Sequence, residues 1–179
     1  MIAIHKSACG SWRLLGFLLF PGVELVLPPP CPADVFPTNT VAGDIFLDIG
    51  SMNAKSNLGF GWSNAEKAGK RNYRWITHLE ADVRFDIDEV RGARIWIESQ
   101  PLFLNYTRQV VAVYVNNRFA GEWKFALAPE FAVTSVEVPA EFFREGANTL
   151  TFRSAYRARA GLDNRDLSLC VDRILLRFL

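Results

Sequence analysis

From Ile45 onward, apolar and polar residues alternate in short segments bounded by Gly, Pro, Asn and Asp. A period of two belongs to strands whose successive side chains face opposite ways. IFLDI (45–49) opens the series, followed by RNYRWITHL (71–79), EADVRFDI (80–87) and GARIWIES (92–99). QVVAVYV (109–115) runs through Asn116-Asn117 straight into RFAGEWKF (118–125), the pattern of a tight hairpin whose turn residues tolerate positive φ. Within it Val111, Val113 and Val115 are expected on one face, with Ala112 and Tyr114 on the other. AVTSVEVP (132–139), NTLTFRSAY (148–156) and LSLCVDRILLRF (167–178) complete the set, and AEFFRE (140–145) has room for one helical turn. No stretch sustains a 3.6-residue apolar period, so the expected class is all-β: an antiparallel β-sandwich, most simply a jelly roll.

The first forty residues break this pattern. Lys6 and Arg13 precede LLGFLLFPGVELVL (14–27), which gives way to PPPCPADVFP (28–37). The apolar stretch is shorter than the roughly 20 residues a membrane span needs, and Pro21, Gly22 and Glu24 interrupt it. Positive flank, short apolar region and Pro-rich break are similar to a signal peptide, although Glu24 and the lack of a small-x-small cleavage site depart from one. We expect residues 1–40 to be an irregular leader adding little to the core, residues 45–179 to form the sandwich, and the protein to be exported or exposed in the cell envelope.

Half of the residues are hydrophobic, enough for a packed interior. The net charge of +1 comes from scattered Lys and Arg, which leaves no basic stripe for a phosphate backbone and argues against nucleic acid as a partner. Cys9, Cys31 and Cys170 show neither metal-ligand spacing nor a disulfide framework. Cys170, inside an apolar run, reads as a small buried hydrophobe.

Catalytic chemistry is hard to assemble from these residues. His5 and His78 are the histidines, and nothing near His78 supplies a nucleophile and an orienting acid. Asp86 and Asp88 share a face at a strand end, where a solvated turn is the simpler reading than a cation site. GFGW (59–62) has no helix pattern behind it and fails as a phosphate loop, so Gly59 and Gly61 read as turn glycines. No catalytic residue, metal or cofactor is expected, and the chain does not read as an enzyme. Trp62, Trp75, Trp96 and Trp123 carry the remaining interest, because an indole serves equally as core filling and as a plate for the apolar face of a sugar.

The order of GFGWSNAE (59–66), Arg74-Trp75, QVVAVYVNNRFAGEW (109–123), VPAEFFREGANTLTF (138–152) and DNRDLSLCVDRI (163–174) resembles a known family. It is similar to the non-catalytic β-sandwich domain attached to bacterial membrane glycosyltransferases of the lipid-phosphate-sugar-dependent kind. The wider relatives of that domain are galactose-binding-like jelly rolls, including sugar-binding domains of glycoside hydrolases. Asn116-Asn117 replaces the usual Asn-Gly, and the transmembrane helices carrying transferase chemistry are missing. The resemblance implies an accessory module for carbohydrate or envelope glycan, with a membrane glycosyltransferase as a partner. Its motif residues, Trp62, Glu66, Arg74, Trp75, Asp163 and Arg165, are the candidate ligand-binding set. The four charged ones also suit a loop clasp at one end of the sandwich, over Trp62 and Trp75. The alternative function is a structural domain that packs on a membrane-protein partner.

Overall fold

The computed structural model describes residues 34–104, 107–126 and 129–179; residues 1–33 of the leader read over residues 1–40, with Cys9 and Cys31, lie outside them. The described residues form twelve strands: β1 (Ile45–Asp48), β2 (Glu66–Ala68), β3 (Arg71–Ile76), β4 (Glu80–Ile87), β5 (Ala93–Pro101), β6 (Val110–Val115), β7 (Arg118–Lys124), β8 (Ala132–Val138), β9 (Gly146–Ser154), β10 (Ala158–Arg159), β11 (Asp166–Leu167) and β12 (Leu169–Phe178). AEFFRE contributes a single 3₁₀ turn at Ala140–Phe142.

Four strands, β4-β9-β6-β7, make one sheet, and β2-β3-β12-β5-β8 make the spine of the other. All pairings are antiparallel. Central to the larger sheet, β12 runs the length of β5 on one side and shares its other edge between two strands placed end to end. Val171 pairs with Arg74 of β3, Arg173 pairs with Asp48 of β1, and the bulged Asp172 between them receives the Ile49 N–H at 2.8 Å. The fold is thus the antiparallel β-sandwich that the alternation predicts. Between the sheets lie Val83, Phe85, Val111, Val113, Val115, Leu150 and Phe152 from one side and Ile95, Ile97, Leu169, Val171, Ile174 and Leu176 from the other.

The hairpin behaves as its sequence requires. Val111, Val113 and Val115 are fully buried, and Ala112 and Tyr114 face outward. Asn116 and Asn117 both hold positive φ, 49° and 66°, the geometry of a type I′ turn. Asn116 does more than turn the chain. Its amide donates to Phe142 O (2.9 Å) and Asn148 Oδ1 (2.7 Å), and its Oδ1 accepts from Thr149 N (3.1 Å). Asn117→Gly is therefore expected to be neutral or to stabilise by about 0.5 kcal/mol, whereas Asn116→Gly, which keeps the turn and loses the hydrogen bonds, should cost about 2 kcal/mol. Urea unfolding of the two variants checks the contrast.

On its outer face the larger sheet carries Glu98, 8% exposed, between two guanidinium groups: Arg71 Nη1 at 2.5 Å and Arg173 Nε at 2.5 Å. Burial alone raises the Glu98 pKa, but the two arginine hydrogen bonds outweigh it and hold the carboxyl below its usual value. Asp172, chiefly through burial, is shifted upward and works in the opposite sense. A depressed carboxyl stabilises the fold above its unfolded pKa and loses that contribution as pH falls through its folded pKa. Glu98→Gln should cost about 1–2 kcal/mol at neutral pH, a figure reduced because both arginines are more than a third exposed. The gap from wild type should close as the pH drops below about 4, and a series of thermal melts from neutral to acid reads it directly.

Asp34 and Phe36, which the sequence pattern assigns to the leader, are anchored on this same face. Asp34 accepts from Arg94 (3.1 Å) and Ser135 (2.8 Å). Phe36 is buried against Trp96 and Leu175, with the Arg173 guanidinium 4.3 Å from its ring.

Candidate functional site

Strand β3 decides which motif residues face outward, because its side chains alternate between the core and solvent. Ile76 points inward, and with it Arg74; Tyr73 and Trp75 point to the outer face, where Trp75 lies beside Cys170 and Gln100 in register. The buried Cys170 thiol is pushed up, first by burial.

Arg74, expected in the charged clasp, is instead buried at 6% exposure and bonded to backbone. It donates from Nε to Ile49 O (2.8 Å), from Nη1 to Ser63 O (3.0 Å) and from Nη2 to Ser51 O (3.4 Å). Among the described residues it forms no ion pair. The fork of one guanidinium spans carbonyls from two loops, which a carboxylate partner on the outer face would forbid.

The other three charged residues do meet. Arg165 places Nη1 2.5 Å from Glu66 Oε1, and grips Asp163 with Nε (3.0 Å to Oδ1) and Nη2 (2.6 Å to Oδ2). The Arg165 backbone N–H also donates to Asp163 Oδ1 at 2.9 Å. Hydrogen bonds from the Arg165 side chain and backbone bring the Asp163 carboxyl down to about 2, and the two acids push Arg165 up. Register sets Glu66 opposite Tyr73, so this partly exposed cluster borders the outward aromatics.

Trp62 is partly buried and packs against the core. Its Nε1 donates to Asp82 O at 2.8 Å and its ring stands edge-on to Phe152 with centroids 6.3 Å apart. Trp123 is buried inside the sandwich and Trp96 beneath Phe36. The loop before Trp62 is pinned at Gly61, φ +94°, whose carbonyl accepts from Thr77 N (2.8 Å) and Thr77 Oγ1 (3.2 Å). His78 touches Thr77 Oγ1 through Nδ1 at 3.1 Å and packs on Phe60 with centroids 4.4 Å apart, a surface arrangement. Asp86 and Asp88 are exposed, and among the described residues no three His, Cys, Asp or Glu side chains converge as a metal site.

Other motif positions are also internal ties. Asn148 of the Gly-x-Asn turn donates to Arg144 O (2.7 Å) and Gly146 O (2.8 Å) besides meeting Asn116 of the hairpin. Buried Gln109 donates to Tyr156 O (2.9 Å) and Ser168 O (3.2 Å). The hairpin segment is thus bonded to the Gly-x-Asn segment through Asn116 and to the loop before β12 through Gln109. On the outer face stand Tyr73 and Trp75, edge to face at 6.5 Å, extended by Phe131 at 6.3 Å from Tyr73. The sequence reading singled out Trp75 and passed over Tyr73 and Phe131.

No protein-family model matches the chain, and no curated protein matches it in sequence. The sandwich is similar to the CBM36-1 domain of a multidomain xylanase from the hindgut metagenome of Trinervitermes trinervoides, at TM-score 0.50 and 10% identity over 76% of this chain and 98% of that one. It is also similar to a family 35 carbohydrate-binding module from Clostridium thermocellum, at TM-score 0.48 and 9% identity over 77% of this chain and 100% of that one. The first likeness shows the fold.

Proposed function

We propose that this domain is a non-catalytic carbohydrate-binding module acting on glycan through the outer face of β3. The observation that carries the reading is Tyr73 and Trp75, side by side on a solvent-facing sheet surface, bordered by Glu66, Arg165 and Asp163. Aromatic faces take the C–H side of a pyranose, and charged groups fixed by one another present oriented hydrogen-bond partners to its hydroxyls. The solved structure at TM-score 0.50 belongs, by its name, to a carbohydrate-binding module, which supports the same role. An envelope-facing location and an origin beside a membrane glycosyltransferase belong to this proposal and rest on the motif resemblance. No helix of the described residues is long and apolar enough to cross a membrane.

A screen of immobilised plant, algal and envelope glycans tests the reading. Trp75→Ala is expected to weaken binding about tenfold, near 1.4 kcal/mol, while the melting temperature stays within a few degrees of wild type. Absence of binding to any glycan at millimolar concentration, by protein verified as folded, would sink it.

A second reading, docking on a membrane-protein partner, draws on exposed Phe60, Leu79, Phe103 and Leu162 in loops at one end of the sandwich. It predicts that substitutions in these loops, and not Trp75→Ala, disrupt function.

A further inference from the structure

Resting on the carbohydrate reading above, we propose that a cleft on the same sheet face, between β1 and the β2–β3 turn, is a second saccharide subsite, so that the ligand is a neutral chain and not a single sugar. The cleft, about 470 Å³, is lined by Phe46, Asp48, Lys70, Asn72 and Asp172, with Arg71 shared between it and the β3 lane. That volume lies in the usual range for small-molecule sites.

Its parts suit a sugar ring. Phe46 and Asp48 alternate with core-facing Leu47 and so project together from the outer side of β1. Phe46 is 45% exposed, and its neighbour Phe36 meets it edge-on at 6.4 Å, which holds the ring steady and leaves it open to a partner. A carboxylate accepts from two adjacent hydroxyls and an ammonium donates to a third. Asp48 and Lys70 supply these groups, and among the described residues neither forms an ion pair. The lining itself carries Asp48 and Asp172 against Lys70, Arg71 and Arg173, and Glu98, paired with both arginines from beside the cleft, brings the formal charge to zero. Arg71 and Arg173 are already paired with Glu98, so an acidic sugar would meet two carboxylates and engaged guanidinium groups there, and a neutral one is preferred.

The spacing argues for a chain. Arg71, at the cleft, lies four positions along β3 from Trp75, about 13 Å at 3.3 Å per residue, with Tyr73 between them on the same face. Arg71 is also stacked on Phe131, 4.2 Å from the ring centroid, and Phe131 abuts Tyr73. Aromatic plates therefore stand at both ends of a continuous lane.

The test is a ¹H–¹⁵N titration of the full chain with neutral disaccharides and hexasaccharides of xylose, mannose and glucose. The hexasaccharide of the preferred sugar should bind at least about tenfold tighter than the disaccharide and shift the amides of Lys70 and Asn72 as well as Tyr73 and Trp75. Phe46→Ala combined with Asp48→Ala should bring the hexasaccharide down to disaccharide affinity and leave the disaccharide unaffected, whereas Trp75→Ala should weaken both. Both changed side chains lie outside the core, and a thermal melt confirms that the variant is folded. Equal affinity for the two lengths, or an unchanged hexasaccharide affinity in the double variant, overturns the second subsite alone. Amides of Tyr73 and Trp75 that move with no saccharide overturn the carbohydrate reading together with it.

Discussion

Gly61→Ala is expected to lower the stability of the domain by about 4 kcal/mol, with a fall in melting temperature of roughly 8–16 °C. Two costs add. The residue sits at φ +94°, where a side chain is strained. A Cβ there would also lie 2.3 Å from Glu80 O and 2.9 Å from Ala81 Cα. That backbone cannot retreat easily, since Glu80 and Ala81 are paired with Arg153 and Phe152 of β9. Gly69→Ala is the natural control: φ is +61° but nothing lies within 4 Å of the added atom, so only the conformational cost of about 1 kcal/mol should remain. Equal losses in the two variants, measured by urea unfolding, would show that the loop simply shifts.

Arg74→Ala should cost about 3 kcal/mol, or roughly 6–12 °C, through the carbonyls it leaves behind. Ile49 O and Ser63 O lose their guanidinium donors at 2.8 and 3.0 Å, and Ser51 O loses a weaker one. Arg74→Lys keeps the charge but presents a single ammonium in place of a fork, and should recover less than half of the loss. A cost under about 1 kcal/mol for the alanine variant would mean that water takes over these bonds and that the two loops do not depend on the arginine.

The strands that alternate over five or more residues were legible in the sequence, because one buried face forces a period of two. The hairpin was legible down to which valines are buried. β2, β10 and β11 were missed for the converse reason, since two or three residues show no period. Arg74 was grouped with Glu66, Asp163 and Arg165 on charge complementarity, yet RNYRWI already separates it: Arg74 shares the parity of buried Ile76, while Tyr73 shares that of Trp75. Applied through, the same alternation would have found Tyr73 as well. Phe131, and the cleft between β1 and the β2–β3 turn, were out of reach. They depend on β8 lying across the sheet and on β1 and β3 sharing one edge of β12, long-range pairings that no local pattern encodes.

That shared edge has a consequence for how the chain is made. Of the sandwich strands, β12 is the last to leave the ribosome, yet β1, β3 and β5 all find their pairing partner in it. Until residues 169–178 emerge, three nascent strands wait with unsatisfied edges, two of them more than ninety residues upstream of the strand that closes them. Such long-range closure makes for slow folding and a window of exposure to aggregation, during which a holding chaperone has most to offer.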